Sequence, residues 1–241
     1  HRHVIDPHVT GSPHDLLAAD VDGDGEKELV ANAIDAGPGL FIYKRHHDLT
    51  TPWQKHAVQT GTFAEGTAVG DLDGDGQVEI VFGPYLYTPP AEGPFSGPWE
   101  RSELAPDFRE MCRAAPIDVT GNGRLDVILT ESEYPDGRAA WFENRGLENA
   151  GPIWVEHPLA YRLNFAHSLS ARRDPTSGET RVFVAEMAQG GWNPPYNWDA
   201  RLIEFVTGDG GETWRRELIY RGAGTHEAAA YDLYGDGEIE F

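Results

Sequence analysis

Cysteine is almost absent from this 241-residue sequence, which contains Cys112 alone, and an internal disulfide framework is therefore excluded. No apolar run approaches the roughly 20 residues of a membrane-spanning helix, so no membrane-spanning segment is expected. No stretch keeps an apolar period of about 3.6 residues, which argues against long helices. Basic residues are scarce as well: 19 Lys and Arg stand against 40 Asp and Glu, a formal net charge of −21 that disfavours nucleic acid as a partner.

Glycine and proline are abundant, with 28 and 17 copies, and indicate many short strands joined by tight turns. Self-comparison shows an internal repeat. Four segments share an apolar frame followed by an acidic turn, and a fifth keeps the frame without the turn. The equivalent positions are Asp20, Asp71, Asp118, Arg173 and Asp232, at intervals of 51, 47, 55 and 59 residues. These intervals are typical of four-stranded propeller blades with loop insertions of varying length.

A second marker, a tryptophan that opens a strand, precedes each acidic segment; its copies are Trp53, Trp99, Trp154 and Trp214. Between the two markers lie single β-rich runs at Leu40–Tyr43, Ala139–Phe142 and Leu202–Val206. One repeat therefore predicts strand A, an acidic turn, strand B, a loop, strand C, a loop and a Trp-led strand D. A β-sandwich would not repeat one turn motif at a near-constant interval, and a solenoid needs shorter repeats. We expect an all-β propeller.

We expect one propeller domain over residues 1–241. Its predicted blades are 14–58, 65–104, 112–159, 167–219 and a partial blade 226–241, after a strand of a preceding blade at 1–7. Four complete blades plus edges leave two alternatives: the ends close a small ring, or blades are missing. An open propeller would expose a long unpaired edge, so we expect a fragment of a seven- or eight-bladed ring.

The turns at Asp20 and Asp71 follow the pattern Asp-x-Asp-x-Asp-Gly in full, which places oxygen ligands for Ca²⁺ at positions 1, 3 and 5. The turns at Asp118 and Asp232 match it in part, with Thr120 and Tyr234 at position 3. Asp and Gly also favour turns without a metal, but a motif repeated in register with strands favours binding. We expect structural Ca²⁺ that offsets carboxylate repulsion. The fourth turn, with Arg173 first and Pro175 third, should not bind metal. The predicted ligands are Asp20, Asp22, Asp24, Glu28, Asp71, Asp73, Asp75, Glu79, Asp118, Asn122, Asp126, Asp232, Asp236 and Glu240.

Six residues before each turn lie five register-equivalent residues: His14, Glu65, Cys112, His167 and His226. The first strand of a propeller blade lines the central channel, so these side chains should surround one channel mouth, about 20 Å from the calcium turns. Histidines gathered in this way could act as acid and base, or hold a second cation. A structural role for each histidine is the alternative.

The loops expected near the same mouth carry aromatic side chains, in particular Trp192, Tyr196 and Trp198. Aromatic faces beside polar groups suit sugar rings, although such residues also anchor loops by packing. Arg113 and Arg162 could meet a substrate carboxylate, and Tyr161 could supply a phenolic proton. A carbohydrate ligand is therefore expected.

The acidic turns and Trp-led strands resemble those of the FG-GAP/VCBS repeat superfamily. The phrases PHDLLAADVDGDG, AAWFENRG and THEAAAYDLYGDG are similar to secreted propeller enzymes that act on sugars, namely the aldos-2-ulose dehydratases and the rhamnose–glucuronate lyases. The resemblance implies secretion to the cell exterior or envelope, seven blades, bound Ca²⁺ and β-elimination at the channel mouth. Its implied site residues are His14, His167 and His226, with Glu65 as a ligand or base.

Two functions remain open on the sequence. One is a carbohydrate-active lyase or dehydratase in which a histidine or tyrosine abstracts a proton next to a carbonyl or carboxylate, and a cation or arginine stabilises the enolate. The other is a non-catalytic, calcium-stabilised module that binds carbohydrate or a protein partner. The register-matched histidines distinguish the two, because an eliminase needs a placed proton acceptor and a binding module does not.

Overall fold

The structure, a computed structural model, describes residues 3–9, 11–48, 50–148, 151–188, 197–222, 224–230 and 233–234. Over these ranges the chain forms strands, turns and irregular backbone, and no helix. The same ranges accordingly hold no long apolar helix of the kind that crosses a bilayer. The all-β prediction is confirmed.

Sixteen strands form four sheets, and the first two sheets lie in a compact unit, His1–Pro106 (unit 1). Sheet 1 contains β1 (Ser12–Ala19), β2 (Glu28–Ile34), β3 (Gly39–Lys44) and β4 (Gln54–Thr60). Sheet 2 contains β5 (Thr67–Gly70), β6 (Glu79–Phe82), β7 (Tyr85–Thr88) and β8 (Glu100–Glu103).

The other two sheets lie in a second compact unit, Asp107–Phe241 (unit 2). Sheet 3 contains β9 (Cys112–Ile117), β10 (Asp126–Glu131), β11 (Gly137–Glu148) and β12 (Gly151–Leu163). Sheet 4 contains β13 (Ser168–Arg173), β14 (Thr180–Ala185), β15 (Arg201–Thr207) and β16 (Arg215–Arg221). In all four sheets each strand pairs antiparallel with the next, so the spatial order follows the chain. The predicted four-stranded blades are confirmed, with each acidic turn between the first two strands.

The core of unit 1 forms where one face of sheet 1 packs against one face of sheet 2. Val30, Leu40 and Ile42 of sheet 1 are fully buried in a cluster with Ile80 and Phe82 of sheet 2. Val30 lies ten residues after Asp20, whereas Ile80 lies nine residues after Asp71. Because side chains alternate across a strand, these two positions of the repeat face opposite sides of their sheets. Burying a side chain of this size contributes about 1.5–3 kcal/mol.

Unit 2 repeats the same register. Ile128 lies ten residues after Asp118, and it shares a buried cluster with Val182 and Val184, which lie nine and eleven residues after Arg173. Trp141 on β11 and Phe205 on β15 belong to the same cluster. Each unit therefore packs one four-stranded blade on the next through the same two faces, which is the packing of consecutive propeller blades.

Residues 3–9 differ from the strand expected at 1–7, since they form turns and irregular backbone. This segment is held to sheet 1 by the amide of Trp53, which donates to the carbonyl of Ile5 at 2.9 Å, and by Asp6. Asp6 accepts hydrogen bonds from Lys55 Nζ at 2.9 Å and from the Tyr43 hydroxyl at 3.1 Å. The segment is thus pinned by side chains and by one backbone contact.

Candidate functional site

Three acidic turns share one backbone geometry. We call them loop 1 (20–28), loop 2 (71–79) and loop 3 (118–126). In each, the first carboxylate accepts a hydrogen bond from the amide of the sixth-position glycine. The distances are 2.9 Å from Gly25 to Asp20, 3.2 Å from Gly76 to Asp71 and 2.8 Å from Gly123 to Asp118. These glycines have φ between 86° and 89°, a conformation that side-chain-bearing residues rarely adopt.

The ninth residue of each loop closes the turn with a buried carboxylate that accepts the amide of the second residue. The distances are 2.9 Å from Val21 to Glu28, 2.7 Å from Leu72 to Glu79 and 2.9 Å from Val119 to Asp126. Since the ninth residue opens the second strand of its blade, this contact ties the loop to the sheet. Beyond this shared contact, the three loops differ in the charged groups and hydrogen-bond donors around their carboxylates.

Loop 2 collects three carboxylates with little to balance their charge. Oxygens of Asp71, Asp73 and Glu79 all lie within 4.8 Å of one another. Glu79 is 0% exposed, and its Oε1 has no hydrogen-bond partner among the described residues. Burial, together with the charges of Asp73 and Asp75, raises the pKa of Glu79 to about 7. An orphaned oxygen in an all-oxygen group fits a hard divalent cation such as Ca²⁺.

Loop 1 brings together Asp20, Asp22 and Glu28, again with oxygens within 4.8 Å of one another. Oδ1 of Asp20 and Oδ1 of Asp22 are buried without a hydrogen-bond partner in the described structure. Here, however, an ammonium group is present: Lys44 Nζ donates to Asp22 and, at 2.7 Å, to Asp24. Burial raises the pKa of Glu28, and the Asp22 and Asp24 carboxylates add to the shift.

Loop 3 is closed by hydrogen bonds. Asp118 accepts the amides of Gly121 at 2.7 Å and Asn122 at 3.1 Å. Both oxygens of Asp126 are engaged, since Oδ1 accepts the amide of Asn144 at 2.8 Å. Burial raises the pKa of Asp126, although these amide hydrogen bonds oppose the shift. The predicted ligands of loop 3 thus lie together in the turn, but the carboxylate oxygens of Asp118 and Asp126 accept backbone amides of the turn and of β11. Asp232, Asp236 and Glu240 lie outside the described residues.

The paired geometry of loops 1 and 2 coincides with a known repeat. Residues 20–82 match the FG-GAP-like repeat family. The match spans loop 1, the rest of sheet 1, loop 2 and β6, so the FG-GAP-like repeat covers two successive A–B turns. No curated protein sequence matches the chain.

At the end of β1 away from loop 1, the structure brings His14 and Glu65 together. His14 Nε2 lies 3.5 Å from Glu65 Oε2, and His14 Nδ1 lies 3.1 Å from Asp15 Oδ1. Asp15 Oδ2 in turn accepts the amides of Gly66 at 2.8 Å and Thr67 at 3.0 Å. Asp15 therefore positions His14 and ties the start of β1 to the start of β5.

In unit 2 the equivalent positions gather around His167. His167 Nδ1 donates to the carbonyl of His226 at 2.6 Å, and His167 Nε2 lies 3.0 Å from Glu133 Oε1. Arg113 Nε donates to the carbonyl of His167 at 2.8 Å, and its Nη2 lies 3.0 Å from Glu227 Oε1. We call these five residues the histidine cluster. The His167 side chain is 0% exposed, so its ring is fully enclosed by them and their neighbours.

His226 is the accessible member of the histidine cluster, with its side chain 70% exposed. Its ring centroid lies 4.3 Å from that of His167. Burial of part of the ring, and then the neighbouring His167, lower the pKa of His226. Burial alone would raise the pKa of Glu133, but the hydrogen bond and charge of His167 and the charge of Arg113 lower it. The cluster thus combines an ionised acid with an open, predominantly neutral imidazole near pH 7.

The histidine cluster also offers a donor set for a metal. Ligand atoms of His167, His226 and Glu227 lie within 4.8 Å of one another. Mixed imidazole and carboxylate donors suit zinc and similar transition metals better than calcium. Cys112, the remaining ring position in unit 2, is buried and donates its thiol hydrogen to the carbonyl of Arg109 at 2.8 Å, so it does not offer its side chain to solvent.

Tyr161 and Arg162 lie away from the histidine cluster. Tyr161 on β12 pairs with Arg138 on β11. Glu131, at the end of β10, pairs with Cys112 at the start of β9. Three strand spacings of about 4.8 Å separate β9, which carries Arg113, from β12, roughly 14 Å in all. Arg162 is exposed, and its carbonyl accepts a hydrogen bond from Arg201 Nη2 at 2.7 Å.

Trp198 and Tyr161 are exposed aromatic side chains of unit 2, at 77% and 61%. Their segments are joined because Asn197 Nδ2 donates to the carbonyl of Asn164 at 3.3 Å. Trp192 and Tyr196, predicted to contact sugar, lie outside the described residues.

Sequence reasoning missed the acids that position the histidines. Asp15 and Glu227 each follow a histidine directly, so a repeated His-acid pair was the available signal. Glu133 lies beyond β10 in a loop where the repeat has no counterpart, and nothing in the sequence marks it. Lys44 is found only through the pairing of β2 with β3.

Proposed function

We propose that this protein is a cation-stabilised, carbohydrate-active lyase or dehydratase that acts by β-elimination. The observation that carries the proposal is the histidine cluster, in which an exposed imidazole with a lowered pKa lies beside a buried histidine held by Glu133 and Arg113. A neutral imidazole near pH 7 is suited to accept a proton from carbon.

In this proposal His226 is the proton acceptor. It removes a proton from the carbon next to a substrate carboxylate or carbonyl, a carbon–carbon double bond forms, and the substituent on the β-carbon leaves. His226 then carries the proton. His167, Glu133 and Arg113 are positioning residues. Glu133 and Arg113 hold the His167 ring beside His226, and the Arg113 guanidinium places positive charge near the developing enolate.

In this proposal the bound cations lie at the acidic loops and not at the histidine cluster. Loops 1 and 2 would hold Ca²⁺ through oxygen donors alone, and the ion would offset the repulsion between carboxylates and fix the turns. The sugar-acting resemblance and the exposed Trp198 and Tyr161 support a carbohydrate ligand, because apolar faces of sugar rings stack on aromatic side chains. The same resemblance supports an extracellular or cell-envelope location and a seven-bladed ring.

Incubation with uronic-acid-containing glycans tests the activity, followed by the absorbance of unsaturated sugar products. The unmodified chain should produce this signal, and His226→Ala should lower the rate about 10²- to 10⁴-fold because the proton acceptor is lost. His47→Ala removes an exposed histidine of unit 1 and should leave the rate unchanged. A His226→Ala protein as active as its parent would remove His226 from the mechanism.

A second candidate is a non-catalytic, cation-stabilised module that binds carbohydrate or a protein. It is favoured by the enclosure of His167, whose two ring nitrogens both contact protein groups, namely the His226 carbonyl, Glu133 and Arg113. Calorimetric titration with the same glycans separates the two functions. Binding that is weakened by Trp198→Ala and not by Phe63→Ala, without any unsaturated product, would favour the module over the eliminase.

A further inference from the structure

Loops 1 and 2 have the same motif but different neighbours. Leu29 pairs with Tyr43 in sheet 1, and Ile80 pairs with Tyr87 in sheet 2. If the same register continues by one residue, Glu28, the ninth residue of loop 1, lies opposite Lys44. Glu79, the ninth residue of loop 2, lies opposite Thr88. The chain thus contains two copies of one acidic turn, and a single strand position changes its charge environment.

The two positions act differently on their loops. Lys44 Nζ contacts Asp22 and Asp24, the third and fifth residues of loop 1, and its side chain is only 31% exposed. No lysine or arginine of the described ranges forms an ion pair with a carboxylate of loop 2. There, Asp75 accepts the amide and side-chain nitrogens of Gln77, at 2.7 and 3.1 Å, and Glu79 Oε1 stays without a partner.

We propose that Lys44 is a built-in cation of loop 1, which lowers its affinity for divalent cations and leaves loop 2 as the tighter site. The proposal rests on the cation binding put forward above. The third and fifth carboxylates are the ones that Lys44 occupies, and they are ligand positions of the motif. A divalent ion at loop 1 must displace the ammonium group and then tolerate a partly buried positive charge beside it.

Charge-assisted hydrogen bonds of this kind set the expected size of the effect. Their loss corresponds to an affinity about 10- to 100-fold weaker at loop 1 than at loop 2. Calcium needs six to eight oxygens, so the loss of two carboxylate oxygens to Lys44 cannot be compensated inside so short a turn. The same argument predicts that removal of the lysine makes the two loops similar.

Calorimetric titration of the cation-free chain with CaCl₂ tests this. Asp71→Asn removes loop 2 and Asp20→Asn removes loop 1, which assigns each binding event to its loop. Lys44→Thr copies sheet 2 into sheet 1, and in the Asp71→Asn background it should tighten the remaining site at least tenfold. Thr88→Lys is the reciprocal change and should weaken loop 2 by a similar factor.

Arg45→Thr is the matched control. It removes the same charge one residue away, from a side chain that pairs with the exposed Glu26 at 3.0 Å and not with the third or fifth carboxylate of loop 1, so it should change the affinity of loop 1 little. If Lys44→Thr leaves loop 1 unchanged while loop 2 binds Ca²⁺, the role of Lys44 is overturned and the cation proposal stands. If neither loop binds Ca²⁺ even in Lys44→Thr, both are overturned.

Discussion

The ninth residue of an acidic turn differs between loop 2 and loop 3 in how its carboxylate is satisfied. Glu79 reaches the amide of Leu72 with one oxygen and leaves the other without a partner. Asp126 is one methylene shorter and uses both oxygens on the amides of Val119 and Asn144. Both carboxylate oxygens of the buried acid in loop 3 therefore accept backbone hydrogen bonds, whereas one buried carboxylate oxygen in loop 2 has no hydrogen-bond partner among the described residues.

Asp126→Ala should destabilise unit 2 by about 2–5 kcal/mol, because two buried amides lose their acceptor. The loss should be the same in Ca²⁺ and in chelator, as measured by the urea midpoint of unfolding. Asp126→Asn retains one acceptor oxygen and should cost less. A loss seen only in Ca²⁺ would show that Asp126 acts through a bound ion.

Asp209, in the turn between β15 and β16, makes a pH-dependent contribution to the stability of the folded chain. Hydrogen bonds from the hydroxyl and amide of Thr213, and from the hydroxyl of Thr207, lower the pKa of Asp209 to about 2. A carboxylate with a lowered folded pKa contributes stability above its ordinary value near 3.8, and this is lost as the pH falls towards 2. Asp209→Asn should therefore lower Tm at pH 7 more than at pH 2, whereas Glu212→Gln in the same turn should not reproduce this trend.

At the scale of elements, the turn that follows β15 helps to fix the packing of sheet 4 on sheet 3. A Cβ at Gly211 would lie 2.6 Å from Cζ2 of Trp141 on β11, so the turn backbone rests directly on the indole ring. Gly211 also has φ of 91°. Both features make glycine necessary here.

Gly211→Ala tests this contact against a matched control. Gly178 has a similar φ of 73° but nothing within 4 Å of its virtual Cβ, so Gly178→Ala should cost about 1–2 kcal/mol from backbone strain alone. Gly211→Ala adds the clash with Trp141 and should cost about 1–3 kcal/mol more. Equal losses in chemical unfolding would mean that the ring moves aside freely.

Much of the element order could be predicted from the sequence. The acidic turns and Trp-led segments repeat at intervals close to one blade, and Leu40–Tyr43 and Leu202–Val206 lie within β3 and β15. Contacts that depend on pairing across strands could not be predicted. Lys44 approaches loop 1 only because β3 runs beside β2, and Glu133 approaches His167 only after β10 and β13 are in place. The repeat gives positions within a blade and no distances between neighbouring segments.

For the whole molecule, the formal charge of −21 is the dominant electrostatic fact. The charge is concentrated in part in the turns, where carboxylates lie within 4.8 Å of one another. Such repulsion opposes the folded state, and any cation that binds the folded chain alone shifts the equilibrium towards it.

Addition of Ca²⁺ to the cation-free protein should therefore raise Tm. At a free concentration about 100-fold above Kd, one site contributes about 2.7 kcal/mol, or about 5–10 °C for a chain of this size. Mg²⁺ should raise Tm less, because it requires a stricter octahedral geometry. NaCl of equal ionic strength is the control for screening, and a Tm that responds equally to all three salts would remove the specific ion.

Cys112 opens β9, is fully buried and is the only thiol in the sequence. Thiols enclosed in this way react slowly with alkylating reagents, since the thiolate forms reluctantly away from water. A cysteine introduced at an exposed position should therefore take a maleimide dye selectively, without deletion of the native residue. Two such labels, one in unit 1 and one in unit 2, would report by energy transfer how the separation of the units responds to ions and glycans in solution.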